Sequence, residues 1–116
     1  MTDISEAGSE NFSVVVSRTP DGRHILASGE LDGAEAEAVQ SLIDDAAPSE
    51  RVTLDVSALT FIDSMGLRML VDWHRRLHQI GGQLVIRQPS VPVERVLAAT
   101  QLDRILQIDR PSSTPN

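Results

Sequence analysis

Ser64 follows Asp63 and precedes Met65 and Gly66 at the point where an aliphatic stretch gives way to helical spacing, which makes it the hydroxyl best placed for chemistry. Two readings fit it. At the start of a helix it accepts a hydrogen bond from an otherwise unpaired amide, the ordinary work of an N-cap serine. As a phosphate acceptor it benefits from the same amides, because the partial positive charge at a helix start holds an anion rather than expelling it. Gly66 serves either reading, since a residue without a Cβ lets backbone approach something closely. The run Ile62-Asp63-Ser64-Met65-Gly66 does not match the Gly-x-Ser-x-Gly turn of a serine hydrolase, so catalysis by this chain is not expected. His74 and His78 share a helix face at i, i+4, a spacing that can bind zinc. With no third ligand nearby and no His-Glu-x-x-His pattern they read as two solvated histidines, and no metal or cofactor is expected.

All ten basic residues are arginine. The lack of lysine removes the P-loop and Schiff-base chemistries together. It also weakens any comparison of Asp55, placed at an expected strand end, with a phosphoaccepting aspartate of receiver type, as does the want of an acidic pair after the first strand. Seventeen acidic residues against ten basic give a formal charge of −7, which a phosphate backbone would repel, and Arg75-Arg76 is the only adjacent basic pair, so nucleic acid is not an expected partner. The lack of cysteine fits a reducing compartment. No apolar run approaches the roughly 20 residues that span a bilayer, and the acidic amino end is unlike a secretory signal. A cytoplasmic protein without a membrane partner is therefore expected. At 116 residues and 41% apolar composition, one aliphatic core needs no disulfide or metal staple.

The elements that must position Ser64 follow from periodicity. Phe12, Val14 and Val16 alternate with polar neighbours, Thr19-Pro-Asp-Gly22 supplies a turn, and Ile25, Ala27 and Gly29 continue as the second arm of a hairpin. Asp32 can cap a first helix whose face is Val39, Leu42, Ile43 and Ala46, ended by Pro48. Val52, Leu54 and Val56 open a strand expected to stop near Ser57. A second helix follows Ser64, with Gly66, Met69, Leu70, Trp73, Leu77 and Ile80 on its apolar stripe, Arg68, Asp72, Arg75, Arg76 and Gln79 on the other side, and Gly81-Gly82 at its end. Trp73 reads as core or as the edge of a partner groove. Leu84 to Ile86 form a buried strand, Ser90 and Pro92 open a third helix carrying Val93, Val96 and Leu97, and Ile105 to Ile108 can add a last strand. Helices alternating with short strands predict an α/β fold with parallel pairing after the hairpin, in a mixed sheet of four or five strands. Residues 1–11 and 110–116 read as unstructured tails around a domain of residues 12–109.

The stretch Val52-Thr-Leu-Asp-Val-Ser-Ala-Leu-Thr-Phe-Ile-Asp-Ser-Met-Gly-Leu67 resembles the signature of the STAS domain, in particular that of bacterial anti-anti-sigma factors (anti-sigma factor antagonists). Gly29-Glu-Leu-Asp32 and Ile80-Gly-Gly-Gln-Leu-Val-Ile86 are similar to two further family segments in the same order, so the resemblance covers about residues 12–108. It implies the STAS fold and a partner switch. In that family the unphosphorylated antagonist captures an anti-sigma factor, itself a serine kinase of the histidine-kinase-like ATPase type, and frees a sigma factor. Phosphorylation of the serine after the aspartate, here Ser64, breaks the complex, and a PP2C-type phosphatase restores it. Met65 departs from the Ser or Thr of well-known members and leaves Ser64 the sole acceptor in the loop. By the same resemblance Gly29, Glu30, Asp32, Asp63, Ser64, Met65, Gly66 and Arg68 form the partner-binding set. Within it, Gly29, Glu30 and Asp32 either shape and cap the turn or touch the partner. Asp63 either orients the hydroxyl, helps place the kinase's magnesium, or is a plain exposed carboxylate. A STAS accessory subunit of a membrane transport complex, docking an ATPase without phosphorylation, is the alternative. A small nucleotide-binding module is a third reading, disfavoured by the lack of lysine and of an aromatic-rich pocket.

Overall fold

The computed structural model describes residues 4–110. Ten elements run in the order β1 (Ile4–Gly8), β2 (Phe12–Thr19), β3 (Gly22–Leu31), α1 (Ala36–Asp44), β4 (Arg51–Ile62), α2 (Ser64–Gln79), β5 (Gln83–Arg87), α3 (Val91–Thr100), a 3-10 turn (Leu102–Arg104) and β6 (Gln107–Asp109). The strands form one six-stranded sheet in sequence order. β1, β2 and β3 pair antiparallel, and β3 through β6 pair parallel, each parallel step carried by one helix. The mixed α/β architecture is the expected one, with β1 adding a strand to the four or five expected. Among the described residues no helix is long and apolar enough to cross a membrane.

One hydrophobic core joins the helices to a single phase of the strands. Ile25 and Ala27 of β3, Leu54 and Val56 of β4, and Leu84 and Ile86 of β5 meet Val39 and Ile43 of α1, Leu70, Trp73 and Leu77 of α2, and Val93 and Leu97 of α3. The opposite phase, with Val15, Leu26, Asp55 and Arg87 side by side in register, lies outside that core. Asp55 therefore sits within β4 beside Arg87, with its Oδ1 accepting from the Ser57 amide at 2.9 Å, and not at a strand end. Trp73, fully buried, donates its Nε1–H to Gln40 Oε1 at 2.7 Å and so settles as core, tying α2 to α1.

Three expectations need correction. Residues 1–11 are not wholly an unstructured tail: Ile4–Gly8 pairs with Ser13–Ser17 of β2, because backbone groups on an open sheet edge recruit a strand without needing an apolar pattern. β4 does not stop near Ser57 but continues to Ile62 against β3, through register shifts between Leu26 and Ser28 and between Gly29 and Glu30. Those bulges place Val56, Leu59 and Ile62 inward at intervals of three, a spacing that strict alternation hides. At the other end, Arg110 is held rather than loose, since its guanidinium grips the Glu94 carboxylate of α3 through two hydrogen bonds of 2.6 and 2.7 Å. The remainder of the expected carboxyl tail, 111–116, lies outside the described residues.

Candidate functional site

The site forms where β3 and β4 end side by side. Asp63 N–H donates to Leu31 O at 3.2 Å, which ties the entry of α2 to the exit of β3. Asp63 has extended backbone angles, and its Oδ1 accepts from the Gly66 amide at 2.7 Å. That makes Asp63 the N-cap. The capping reading of Ser64 is thereby corrected: the carboxylate one residue earlier takes the orphan amide, and Ser64 becomes the first residue of the helix. Its side chain is exposed, and among the described residues no hydrogen bond takes up its hydroxyl. Asp63 does not orient that hydroxyl, because the carboxylate is turned to Gly66.

Gly66 is buried, and the close approach it permits is internal. A Cβ there would lie 2.8 Å from Leu31 O and 2.9 Å from Ile62 Cγ1, so the first turn of α2 rests directly on the end of β3. Gly29 holds a φ of 97°, in the left-handed region, and a Cβ on it would collide with the Asn11 carbonyl. The Glu30 amide bonds that same carbonyl at 2.9 Å. Asp32 Oδ1 accepts from the Glu35 amide at 2.9 Å and stabilises the turn leading into α1. Glycines and aspartates of the expected set thus shape the two loops, while Glu30, Ser64, Met65 and Arg68 present exposed side chains.

Two surfaces flank Ser64. On one side stand two exposed apolar side chains, Phe61 and Met65, each 48% exposed, with Phe61 beside Glu30 in the β3–β4 register. Met65 lies over Gly33, where a Cβ would come 2.8 Å from its Cγ, so the α2 start and the β3–α1 loop are one packed unit. On the other side a groove of about 440 Å³ runs along α2 toward the end of α3, lined by Ser64, Leu67, Arg68, Val71, Arg75 and Thr100 among others. Phe61 is absent from the residues that sequence reasoning selected. Alternation from Leu59 would turn Phe61 inward, and only the bulges between β3 and β4, which bring Ile62 inward instead, leave it facing solvent.

The other candidate groups stand apart from this junction. His74 and His78 stack with ring centroids 6.4 Å apart, and among the described residues no cluster of three or more metal-ligating side chains forms.

A STAS domain profile matches residues 14–114. The anti-sigma F factor antagonist of Paenibacillus polymyxa is 31% identical over 84 residues, which are 70% of this chain and 72% of that protein. Among solved structures, an anti-sigma factor antagonist from Mycobacterium paratuberculosis superposes with a TM-score of 0.74 at 23% identity, covering 89% of each chain. The Bacillus protein SpoIIAA shares the fold in both its states. Its unphosphorylated form gives a TM-score of 0.67 at 19% identity, over 96% of this chain and 90% of that one. Its phosphorylated form gives 0.62 at 18% identity, over 96% and 93%.

Proposed function

The chain belongs to the STAS domain family, and from that premise we propose that it is a cytoplasmic anti-sigma factor antagonist whose Ser64 toggles between a neutral and an anionic state. Unphosphorylated, it captures an anti-sigma factor that is a serine kinase of the histidine-kinase-like ATPase type, and a sigma factor is released. The kinase transfers the γ-phosphoryl group of ATP to Ser64 Oγ: an O–P bond forms, the bond to the β-phosphate oxygen breaks, ADP departs, and the hydroxyl proton passes to a base on the kinase. The complex then separates until a PP2C-type phosphatase hydrolyses the ester.

The observation that carries this reading is the division of labour at the helix start. Asp63 satisfies the cap, so Ser64 is left exposed with an uncommitted hydroxyl. A kinase can reach it without unravelling α2. The added charge of about −1.5 to −2 sits at the positive end of the helix, which stabilises it by roughly 0.3 to 2 kcal/mol and partly offsets repulsion from Asp63. In a partner interface fitted to a neutral hydroxyl, the same charge is buried unpaired and costs about 2 to 5 kcal/mol. That is roughly 30- to several-thousand-fold in affinity. We assign partner contact to Glu30, Phe61, Ser64, Met65 and Arg68, and the shaping of that surface to Gly29, Asp32, Asp63 and Gly66.

The experiment is a kinase reaction with ATP followed by intact-mass and fragment spectrometry. Wild type is expected to gain one phosphate, localised to Ser64, while Ser64→Ala binds the kinase and gains none. Phosphate uptake by Ser64→Ala overturns the assignment. Recovery of a transport ATPase by a chain that never takes up phosphate favours the accessory-subunit role instead.

A further inference from the structure

The side chains along α2 are not equally committed. Arg76 is spent on Asp44 of α1 at 3.0 Å, whereas among the described residues no ion pair engages Arg68 or Arg75. Both free guanidinium groups line the same groove as Ser64, with Asp72 between them in sequence. Arg68 is four residues after Ser64, which on a helix places the two Cβ atoms about 5 to 6 Å apart on one face. Helical side chains also tilt toward the amino end, which favours a reach from Arg68 back to the turn that carries Ser64 over one forward to Asp72. Arg75 follows the same stripe, but its position about 16 Å further along the axis leaves it acting only through space.

Resting on Ser64 being the phosphoacceptor, we infer that Arg68 is a built-in latch for the phosphoryl group, closing on it in cis once the serine is modified. The planar guanidinium can give two parallel N–H bonds to phosphate oxygens, a pairing that a lysine ammonium cannot reproduce. The consequence for regulation is that one phosphate makes two changes to the docking surface. It puts an anion where a hydroxyl stood, and it withdraws from the partner a cation that the unphosphorylated surface displays. The latch also sets the lifetime of the phosphorylated state, because a phosphatase must prise Arg68 from the ester oxygens before hydrolysis. The charged groups around the ester are Asp63, Arg68, Asp72 and Arg75 on α2 or its cap, together with Glu30 and Asp32 at the end of β3, which are the same in every variant, while Thr100 of α3 and Leu102 of the 3-10 turn, on the groove's far side, are uncharged.

The test is made on the full chain with phosphoserine installed at position 64 during translation, so that it is independent of any kinase. Phosphorus NMR follows the second ionisation of the ester, which for a free phosphoserine lies near about 6. Arg68→Gln is expected to raise its midpoint by roughly half a pH unit relative to wild type, Arg68→Lys by less, and Arg75→Gln by clearly less than Arg68→Gln. The Arg68 effect should shrink in 1 M salt, where screening acts within about 3 Å. Because the helix amides are unchanged in every variant, the differences isolate the guanidinium. Equal midpoints in wild type and Arg68→Gln, or an equal response to Arg75→Gln, overturn the latch. That failure is distinct from failure of the acceptor assignment, which the kinase reaction with Ser64→Ala decides.

Discussion

Asp63 and Ser64 divide two jobs that one side chain cannot hold at once. A serine bonded to its own helix amides has its oxygen occupied, whereas here the carboxylate of Asp63 takes the Gly66 amide and the hydroxyl beside it stays open. This assignment has a direct consequence for stability. Asp63→Ala should lower the unfolding free energy by about 1 kcal/mol, within the usual 0.5 to 2 for loss of an N-cap, while Ser64→Ala should change it by less than about 0.5. Urea unfolding followed by the emission of Trp73, the single tryptophan, measures both. The reverse order would return the capping role to Ser64 and remove the reason for its availability. At this scale the sequence shows that a helix begins here and that a hydroxyl is near, because both are local. It does not show which of two adjacent oxygen-bearing side chains makes the bond, since that depends on the extended backbone angles of Asp63 and on where β3 delivers Leu31 O. Phe61 escapes notice for a related reason: its outward direction is set by bulges between β3 and β4.

The elements are joined by a few polar ties whose worth differs with burial. Arg23, near the start of β3, is 2% exposed and runs in the inward phase with Ile25 and Ala27. It donates to Leu42 O at 2.8 Å and to Asp45 O at 3.4 Å, and so closes the carboxyl end of α1, while its Nε lies 3.1 Å from Glu50 Oε2. Removing one partner of a buried pair leaves the other charge uncompensated. Arg23→Met should therefore cost about 3 to 5 kcal/mol, and adding Glu50→Gln to it should recover part of that loss. Equilibrium denaturation of the single and double variants checks it, and a loss below about 1 kcal/mol would mean Arg23 is merely peripheral. Glu94 and Arg110 tie β6 to α3 in a more exposed setting. The two hydrogen bonds from Arg110 hold the Glu94 carboxyl below the ordinary carboxylate range. Because that value is lower in the folded chain than in the unfolded one, the tie is fully present above the ordinary carboxylate range. It is lost as pH falls through the lowered value. Its worth is that of a surface pair, about 0.2 to 1 kcal/mol, so the expected outcome on acidification is local. Amide exchange at Gln88, whose N–H bonds Asp109 O at 2.8 Å, should quicken before the core opens. Glu94→Gln should abolish that early step, and exchange at Gln88 that tracks global unfolding instead would contradict it. Helices and central strands are legible because their apolar residues repeat. The first strand carries no such repeat, and Arg23 looks polar until its phase with Ile25 and Ala27 is noticed.

Over the whole molecule, the buried Arg23 tie and the candidate site lie at opposite ends of the sheet. Arg23 and Glu50 stand where β3 and β4 begin, whereas Leu31, Ile62 and the Ser64 loop stand where those strands finish, the end at which parallel sheets commonly present their binding loops. The fold class was readable from the alternation of helices and strands, and the STAS resemblance from motifs spaced along nearly all of it. What one chain does not encode locally is how the loops after β3 and β4 pack into one surface through Gly66 on Leu31 and Met65 on Gly33. On the proposed reading, that packing is what would let a single charge alter docking while the core beneath it stays intact. The most direct measurement compares the affinity of the unphosphorylated chain and of the same chain bearing phosphoserine at position 64 for the anti-sigma kinase that Ser64→Ala captures. Calorimetry should show the phosphorylated chain binding roughly 30- to several-thousand-fold more weakly, with unfolding curves that agree within about 2 kcal/mol. Equal affinities for the two forms would contradict the account.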